Sequence, residues 1–404
     1  MLRVARIISL SQFMSRPSHQ GPGRQPLPLD GVCVVEIGHS LAAPYAGNIL
    51  AQLGARVIKV EARGKGDYAR GWGPPFTGDA ASMFHAVNNG KCSVTADFDD
   101  PASLGAVREF ILREADVVMQ NLKAGALVKH ALDADSLTQA KPDLIYCNMG
   151  AFGRHGPLAD RPGYDPLIQA FSGMMSILGH AGDEPSRVPV SINDMGTGMW
   201  AAIGILAALA QRARQPGGRP QVVDVSLFET ALAWMTVPMT DRLAKGPQPK
   251  RNGSGSPNIA PYQVFRCADQ QIMIAAGNDV LFARLCHAIG LPELVDDPRF
   301  ASNGERVGHL PELLAALEPK IATMTADECL SRLSAQSIPC GPLNTIDQVL
   351  AHPQTAALDI LRQTPRGDLT TIALPISFDG HRPPLAGNGP VLGEHDALLE
   401  SPSK

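Results

Sequence analysis

The sequence predicts an α/β protein whose larger domain is a doubly wound, Rossmann-like fold around a parallel sheet. Residues 32–37 form an apolar run typical of a buried strand, and residues 44–53 carry a helical pattern that ends at Gly54. A second apolar run, 57–60, follows closely, and strand, helix and strand at this spacing form a βαβ unit with a right-handed crossover. The pattern then recurs, with strands predicted at residues 94–96, 117–119 and 144–147 and a helix at 103–114.

Two segments interrupt this alternation and predict the domain organisation. The loop 64–75, rich in Gly and Pro, is too long for a plain connector and is expected to cover a site. A helix at 196–213 and a strand at 222–225 continue the first domain, whereas residues 245–257 carry no periodic apolar signal. We therefore predict an N-terminal extension at 1–26, a large α/β domain at 27–225, a linker with a smaller α+β domain at 226–334, and a segment at 335–404 that returns to the large domain and ends in a tail.

The composition excludes several functional classes. A net charge of −4 offers no general attraction for nucleic acid or an anionic membrane. The seven cysteines are scattered, without a C-x-x-C pair or clustered histidines, so no metal site is expected. The longest apolar run, 199–210, is shorter than the roughly 20 residues of a transmembrane helix and is expected to be a core helix. The expectation is a globular protein that acts on small molecules, with neither nucleic acid nor a membrane as partner.

The first 26 residues leave two locations open. They contain four arginines and no acidic residue, as a mitochondrial transit peptide would. The alternative is a disordered bacterial extension, or a start codon assigned too early. The basic residues comprise 25 arginines and 10 lysines, a bias common where coding sequence is rich in GC, and this favours a bacterial cytoplasm over the mitochondrial matrix.

The segment 161–173 contains the candidate nucleophile. Asp165 precedes Pro166 and an apolar helical stretch, so it suits the N-cap of a helix with Pro at its first position. A carboxylate at the positively polarised end of a helix also stays ionised and can act as a nucleophile. The residues alone allow both roles, and the two roles are compatible.

The turn at residues 38–42 is a second candidate site. Ligands of open parallel sheets bind beyond the carboxyl ends of the strands, and this turn follows the first strand. It lacks the G-x-G-x-x-G fingerprint, which argues against a nicotinamide dinucleotide. His39 is either a hydrogen-bonded turn residue or a ligand contact.

Several sequence blocks follow one another between about residue 28 and residue 361. They are PLDGVCVVEIGHSLAAPYAGNILAQLGARVIKVE, GDYARGWGPPF, NNGKCSV, GYDPLIQAFSG, APYQVFRCADQQIMIAAGND, LPELVDDPRF and IPCGPLNTIDQVLAHP. In this order the blocks resemble the family III CoA-transferases, which include formyl-CoA transferase and its carnitine and dicarboxylate relatives. Independent blocks in a shared order are more specific than any one motif. The resemblance implies an enzyme that moves CoA between carboxylic acids.

The resemblance also implies a covalent mechanism at Asp165, the Asp of the G-Y-D block. Asp165 would attack the donor thioester to give a mixed anhydride, and the released CoA thiolate would then form an aspartyl-CoA thioester that the acceptor carboxylate resolves. The CoA thioester is a substrate, and no permanently bound cofactor or metal is implied. Succinate is the expected donor acid, because Arg70 could pair with the distal carboxylate of a dicarboxylate.

The family's CoA-contacting positions transfer unevenly onto this chain. The resemblance assigns CoA or substrate contacts to His39, Ser40, Lys91, Asn121, Leu122 and Lys129. Lys91 and Lys129 are cations that suit the phosphates of CoA. Two positions depart from the family: Ala62 stands where relatives carry Arg, with Arg63 beside it as a substitute, and Cys92 replaces the usual Arg after the lysine.

The glycine-rich segment 253–258 matches the family's flap, although Ser254 and Ser256 replace the usual Asn and His. Gly253 and Gly255 would let this flap close over Asp165 and shield the anhydride from water. A flexible linker between domains is the alternative. Relatives form interlocked homodimers in which each chain threads a ring made by the other, and the same homodimer is expected here.

Two other functions are compatible with much of this pattern. An acyl-CoA racemase has the same fold and pairs the Asp with a His, but racemases typically show Gly-His-Asp where this chain has Tyr164, and residues 136–146 contain no His. A non-catalytic acyl-CoA binding protein on a transferase scaffold is the other alternative. Trapping of Asp165 as a hydroxamate would distinguish the transferase from both.

Overall fold

The structure is a computed structural model that describes residues 26–215 and 217–400. The extension predicted at 1–26 lies, apart from residue 26, outside the described residues. The strands are β1 (Cys33–Ile37), β2 (Arg56–Ala62), β3 (Phe76–Thr77), β4 (Ala80–Ala81), β5 (Cys92–Ala96), β6 (Val117–Gln120), β7 (Ile145–Gly150), β8 (Gln221–Ser226), β9 (Tyr262–Arg266), β10 (Gln271–Ala275), β11 (Cys340–Pro342), β12 (Leu361–Gln363) and β13 (Thr370–Ile372). The α-helices are α1 (Ala42–Gln52), α2 (Ser82–Ala86), α3 (Pro101–Glu114), α4 (Ala134–Ala140), α5 (Asp165–Phe171), α6 (Met174–Ile177), α7 (Ile192–Arg214), α8 (Leu227–Trp234), α9 (Thr236–Leu243), α10 (Asp279–Ile289), α11 (Asn303–Gly308), α12 (Leu310–Ile321), α13 (Ala326–Ala335), α14 (Ile346–Ala351) and α15 (Pro353–Ala357).

A six-stranded parallel sheet organises the larger unit, in the order β5-β2-β1-β6-β7-β8. The chain builds outward from β1 to β2 and β5, and then returns to β6 on the other side of β1. This order is that of the doubly wound Rossmann-like fold, so the predicted fold class is confirmed. The strand order reverses between β1 and β6, and the crevice beyond their carboxyl ends is where such sheets bind ligands.

The central strands are apolar because helices cover both faces of the sheet. Val35 lies in register with Ile58 of β2 and with Val118 of β6, and all three side chains are fully buried. One face packs against α1, α7 and α8, and the other packs against α3 and α4. The strand runs recognised in the sequence are therefore continuous rather than alternating.

Helix α7 packs closely against α1 because a glycine lies at the contact. A Cβ atom on Gly198 would lie 2.7 Å from the carbonyl oxygen of Ala42 and 3.1 Å from the amide nitrogen of Ala46. Among the described residues α7 is the one helix with the length and composition of a membrane span, at a mean hydropathy of 1.2, and half of that stretch is buried. Core helices meet the same criterion.

The chain forms two compact units. Within the described residues the first unit comprises 26–172, 188–240 and 358–400, and the second comprises 173–187 and 241–357. The second unit contains a three-stranded antiparallel sheet in the order β11-β10-β9 with α10 to α13 around a separate apolar core. The sequence-based boundaries, with a small domain at 226–334 and a return segment from 335, stay predictions about the folded domains.

Candidate active site

A cleft of about 560 Å³ opens in the first unit beyond the carboxyl ends of β1, β6, β7 and β8. The turn after β1 contributes His39 and Ser40, and the turn after β6 contributes Asn121 and Leu122. These four residues, all predicted contacts, therefore meet at the point where the strand order reverses. Sequence reasoning expected this placement because parallel strands end at one edge of the sheet.

His39 and Asn121 join the two turns by reciprocal hydrogen bonds. The amide N–H of His39 donates to Oδ1 of Asn121 over 3.0 Å, and Nδ2 of Asn121 donates to the carbonyl oxygen of His39 over 2.9 Å. A Cβ atom on Gly38 would lie 2.9 Å from the same Oδ1, so this approach requires glycine. Burial lowers the pKa of His39 below its usual value. The charge of Asp67 opposes this shift, and the charge of Lys59 adds to it. The imidazole is therefore neutral near pH 7.

Ser40 is held in a left-handed backbone conformation, with φ of 70°. Its amide N–H donates to Oδ1 of Asp67 over 2.9 Å, and its hydroxyl lies 2.9 Å from Nδ1 of His39. The ring of Tyr68 contacts that of His39 edge to face, with 5.0 Å between centroids. Residues of the predicted covering loop 64–75 thus support the turn of the first strand.

Lys91 lies in a buried charge network instead of on the cleft. Its side chain has no exposed surface, and Nζ donates to Oε2 of Glu36, the carbonyl oxygen of Pro44 and Oδ1 of Asn88 over 2.7, 2.7 and 2.8 Å. Burial lowers the pKa of Lys91 to about 8, although Glu36 opposes the shift. An ammonium group has three donors, and all three are used. Lys91 is thus fully engaged within the protein, and its predicted contact with the CoA phosphates stays a prediction.

Arg70 is likewise engaged within the protein. Its guanidinium donates to both carboxylate oxygens of Glu61 over 2.8 Å and to the carbonyl oxygen of Pro390 over 3.1 Å, and it lies 3.8 Å from the ring centroid of Phe84. Only 8% of Arg70 is exposed. A bidentate pair of this kind leaves little of the guanidinium for a substrate. The predicted pairing of Arg70 with a distal carboxylate stays a prediction.

Asp165 begins α5 but does not cap it. Oδ2 of Asp165 accepts hydrogen bonds from the amide N–H groups of Asn193 and Asp194, over 2.6 and 3.3 Å, at the start of α7. Oδ1 accepts from Nε2 of Gln169 over 2.5 Å. The predicted N-cap role is therefore wrong: Tyr164 occupies that position, and the carboxylate serves the end of a different, 23-residue helix.

Asp165 is buried away from solvent but lies next to the cleft. Asp165 is 1% exposed, whereas the preceding Gly163 and Tyr164 line the cleft. Gln169 is itself held by Val188, whose amide N–H donates to Oε1 over 2.8 Å. Three N–H donors, two of them at the N-terminus of α7, fix the orientation of the carboxylate.

Asp194 is a cleft residue that sequence reasoning missed. It follows the buried Asn193 in the first turn of α7 and is partly exposed to the cleft. Burial and the charge of Asp165 raise its pKa to about 7. No local motif marks Asp194, because its partner Asp165 lies 29 residues earlier in the chain.

The comparisons with known proteins agree with this geometry. A family model described as CoA-transferase family III matches residues 29–396. The chain belongs to the family III CoA-transferases, and it is an enzyme that transfers CoA. A succinate–glutarate CoA-transferase of Agrobacterium fabrum is 37% identical, over 94% of this chain and 96% of that protein. An acetyl-CoA:oxalate CoA-transferase of Acetobacter aceti is 36% identical, over 94% and 96%.

Solved structures support the same assignment. The crystal structure of a CAIB/BAIF family protein from Brucella suis matches this family III CoA-transferase with a TM-score of 0.82 and 40% identity, over 93% of this chain and 99% of that chain. At this coverage the likeness includes most of both units. The resemblance read from the sequence blocks is therefore confirmed.

Cations near the cleft of this family III CoA-transferase are only partly those predicted. Lys129 lies in a short 3₁₀ turn, Val128–His130, and is exposed, while the adjacent Val128 lines the cleft. Lys123 and Arg161 also line the cleft and were missed, although Lys123 follows Leu122 directly. Within the described residues no group of His, Cys, Asp and Glu could hold a metal ion.

The glycine-rich segment 253–258 belongs to the second unit. Gly253 has φ of 60°, and a Cβ atom there would lie 2.4 Å from the ring of His180. The amide N–H of Gly253 donates to the carbonyl oxygen of Gly179, and that of Gly255 donates to Asn252, both over 2.9 Å. The segment is thus anchored by its glycines, and its closure over Asp165 stays a prediction.

Proposed function

We propose that this enzyme moves CoA between dicarboxylic acids through covalent intermediates on Asp165. The observation that supports the proposal is a desolvated carboxylate, directly behind the cleft, that three N–H groups orient. A carboxylate is a weak nucleophile in water, and removal of its water shell makes it more reactive. The amides of Asn193 and Asp194 hold the carboxylate in place in this dry environment.

The chemistry then follows from the position of Asp165. One carboxylate oxygen attacks the thioester carbon, and the electrons of the C–S bond leave with the CoA thiolate. The thiolate attacks the Asp165 carbonyl of the mixed anhydride, which releases the donor acid and leaves an aspartyl-CoA thioester. The acceptor carboxylate then attacks this thioester and releases the CoA thiolate, which gives a second mixed anhydride. The thiolate attacks the acceptor's acyl carbon in that anhydride, so the new acyl-CoA forms and the Asp165 carboxylate is regenerated. Because Asp165 is buried, we expect Gln169 to shift when the acyl group enters.

The CoA moiety is proposed to lie along the turns after β1 and β6. His39 and Asn121 shape the entrance, with Ser40 and Leu122 beside them. Lys123, Lys129 and Arg161 are proposed to meet the phosphates, because Lys91 and Arg70 are engaged elsewhere. Cations on exposed turns reach phosphates without desolvation of a buried charge.

Dicarboxylates are proposed because the names of two relatives above include succinate, glutarate and oxalate. A matrix of succinyl-CoA, glutaryl-CoA and acetyl-CoA against succinate, glutarate, oxalate, acetate and butyrate measures this directly. We expect kcat/KM to be highest for pairs of dicarboxylates. Equal rates with acetate and butyrate would refute the assignment of substrate class while leaving CoA transfer intact.

The role of Asp165 as nucleophile is tested in two ways. Turnover is measured for Asp165→Asn and Asp165→Ala, and the covalent intermediate is trapped by treatment of the enzyme with donor acyl-CoA and hydroxylamine. We expect both variants to lose turnover by about 10⁴-fold or more, as for other removed nucleophiles. The wild type should yield a hydroxamate at Asp165, located by peptide mass. Turnover of the Asn variant near the wild-type rate, with deamidation excluded by mass, would end the covalent mechanism. Thermal unfolding of each variant separates loss of chemistry from loss of fold.

Assembly as a homodimer is also proposed. Met199, Trp200 and Ile203 of α7 leave large apolar side chains exposed on the described chain, and a second copy would cover them. Sedimentation at micromolar concentration should show a dimer. A stable monomer would contradict both this assembly and the interlocked arrangement predicted from the resemblance. The predicted cytoplasmic location stays a prediction.

A further inference from the structure

Asp194 has no role in the covalent scheme above, yet it is the acidic side chain that adjoins both the cleft and the proposed nucleophile. Its amide N–H donates to Oδ2 of Asp165, and the residue lines the cleft. The two backbone N–H groups at the start of α7 donate to Asp165, so they are not donors to the carboxyl group of Asp194. In the part of the chain that the structure describes, no hydrogen bond is seen to the carboxyl group of Asp194.

We propose that Asp194 is a catalytic hydrogen-bond donor: its neutral carboxyl group donates to the acyl oxygen that becomes negatively charged when Asp165 attacks the thioester. The proposal rests on the proposed function, because it takes Asp165 as the nucleophile. When the Asp165 oxygen bonds to the thioester carbon, the carbonyl electron pair moves onto the acyl oxygen. The O–H of Asp194 stabilises that oxyanion and keeps its proton, and the pair returns to the carbonyl as the C–S bond breaks.

The surroundings of Asp194 favour its neutral form at pH values below its raised pKa. Two carboxylates at one helix end cannot both ionise without repulsion, and Asp165 holds the N–H donors. Burial and the charge of Asp165 together raise the pKa of Asp194 to about 7. The titratable side chains on the elements that pack against α7 are Asp165 on α5, Tyr45 on α1, Asp224 on β8, Glu229 on α8, and Tyr146 and Cys147 on β7.

None of these neighbours offers Asp194 a compensating cation. Asp224 pairs with Arg154 over 2.8 Å, and Glu229 accepts from the hydroxyl of Ser226 over 2.6 Å. Asp165 is the group whose charge acts on Asp194. A protonated acid beside an ionised one supplies a donor without adding a second negative charge near the attacking oxygen, which is the condition an oxyanion requires.

The test compares Asp194→Asn and Asp194→Ala over pH 6 to 9, with Asp327→Asn as a matched control. The Asn amide donates at every pH, and Ala donates at none. Asp327 is also in the first turn of a helix, but it is exposed and belongs to the second unit. The readout is kcat/KM with one fixed donor and acceptor pair, together with the hydroxamate yield at Asp165.

The expected wild-type kcat/KM falls about tenfold per pH unit above the pKa, because the ionised form cannot donate. Asp194→Asn should remain within about tenfold of the wild type at pH 6.5 and lose this fall. Asp194→Ala should drop by about 10²- to 10³-fold at pH 6.5. Asp327→Asn should match the wild type throughout.

Three results would overturn the proposal: a fall with pH that persists in Asp194→Asn, an Ala variant within threefold of the wild type, or equal losses in the two variants. Each can occur while wild-type Asp165 still yields its hydroxamate, so a failure here differs from a failure of the covalent mechanism. If Asp194→Ala does not fold, the pH profile of Asp194→Asn decides alone.

Discussion

Replacement of Asp194 by Asn should stabilise the protein progressively as the pH rises. In the unfolded chain Asp194 titrates near its ordinary pKa of 3.8, whereas burial and Asp165 raise the pKa to about 7 in the folded protein. Between these values the folded state holds a proton that the unfolded state has released. Wild-type stability therefore decreases as the pH rises from about 4 to about 7, and the full penalty persists above that. An amide carries no such penalty.

The magnitude follows from the difference between the two pKa values. A difference of about 3 pH units corresponds to about 4 kcal/mol, at about 1.4 kcal/mol per unit. Asp194 is partly exposed, and solvent screening reduces this to roughly 2 kcal/mol. The Asn side chain also changes packing and hydrogen bonding, but those effects are the same at every pH. Only the part of the difference that varies with pH is diagnostic.

Urea denaturation at pH 4.5, 6.5 and 8.5 measures this difference for wild type and Asp194→Asn. Trp72, Trp200 and Trp234 all belong to the first unit, so tryptophan fluorescence reports on the unit that contains Asp194. The stability advantage of the variant should grow by roughly 2 kcal/mol from pH 4.5 to pH 8.5. A difference that stays constant over this range would refute the reasoning, and Asp327→Asn should show no growth.

Three further predictions concern the buried network and the cleft. Lys91→Met should lower the free energy of unfolding by about 3 to 5 kcal/mol, because Glu36 loses one of its two buried cations. A raised KM for CoA thioesters with unchanged stability would contradict this prediction. Gly47→Ala should lower the urea midpoint, because a Cβ there would lie 2.1 Å from Oε2 of Glu36, and a wild-type midpoint would contradict it. Lys129→Ala should raise KM for the CoA thioester at low salt with kcat unchanged, and the difference should vanish near 0.5 M salt, where the Debye length is only about 4 to 5 Å. A salt-independent KM would contradict a phosphate contact.

Local patterns were enough to predict the elements that surround the site. The strand expected at 32–37 is Cys33–Ile37, and the helix expected at 44–53 is Ala42–Gln52. Buried strands can be predicted from sequence because a strand covered on both faces must be apolar along its whole length. The meeting of His39 with Asn121 also followed, since both residues come directly after parallel strands.

The roles of charged residues were harder to predict, because they depend on partners distant in sequence. Lys91 and Glu36 are 55 residues apart, and their pairing places Lys91 in a buried charge network. Asp165 looked like the cap of its own helix, since Pro166 follows it, but its oxygens accept from Asn193, 28 residues further on. Neither partner is visible in a local window.

By itself, then, the sequence determined the α/β class and the family and indicated Asp165 as the candidate nucleophile, because apolar periodicity and ordered motif blocks are properties of contiguous residues. The tertiary structure alone decided which cations remain free for a ligand and which acid lies beside Asp165. Burial and Coulomb interaction set those properties, and both depend on distance in space. The pKa of Asp194 is raised to about 7 because the fold buries this residue beside Asp165 at the start of α7.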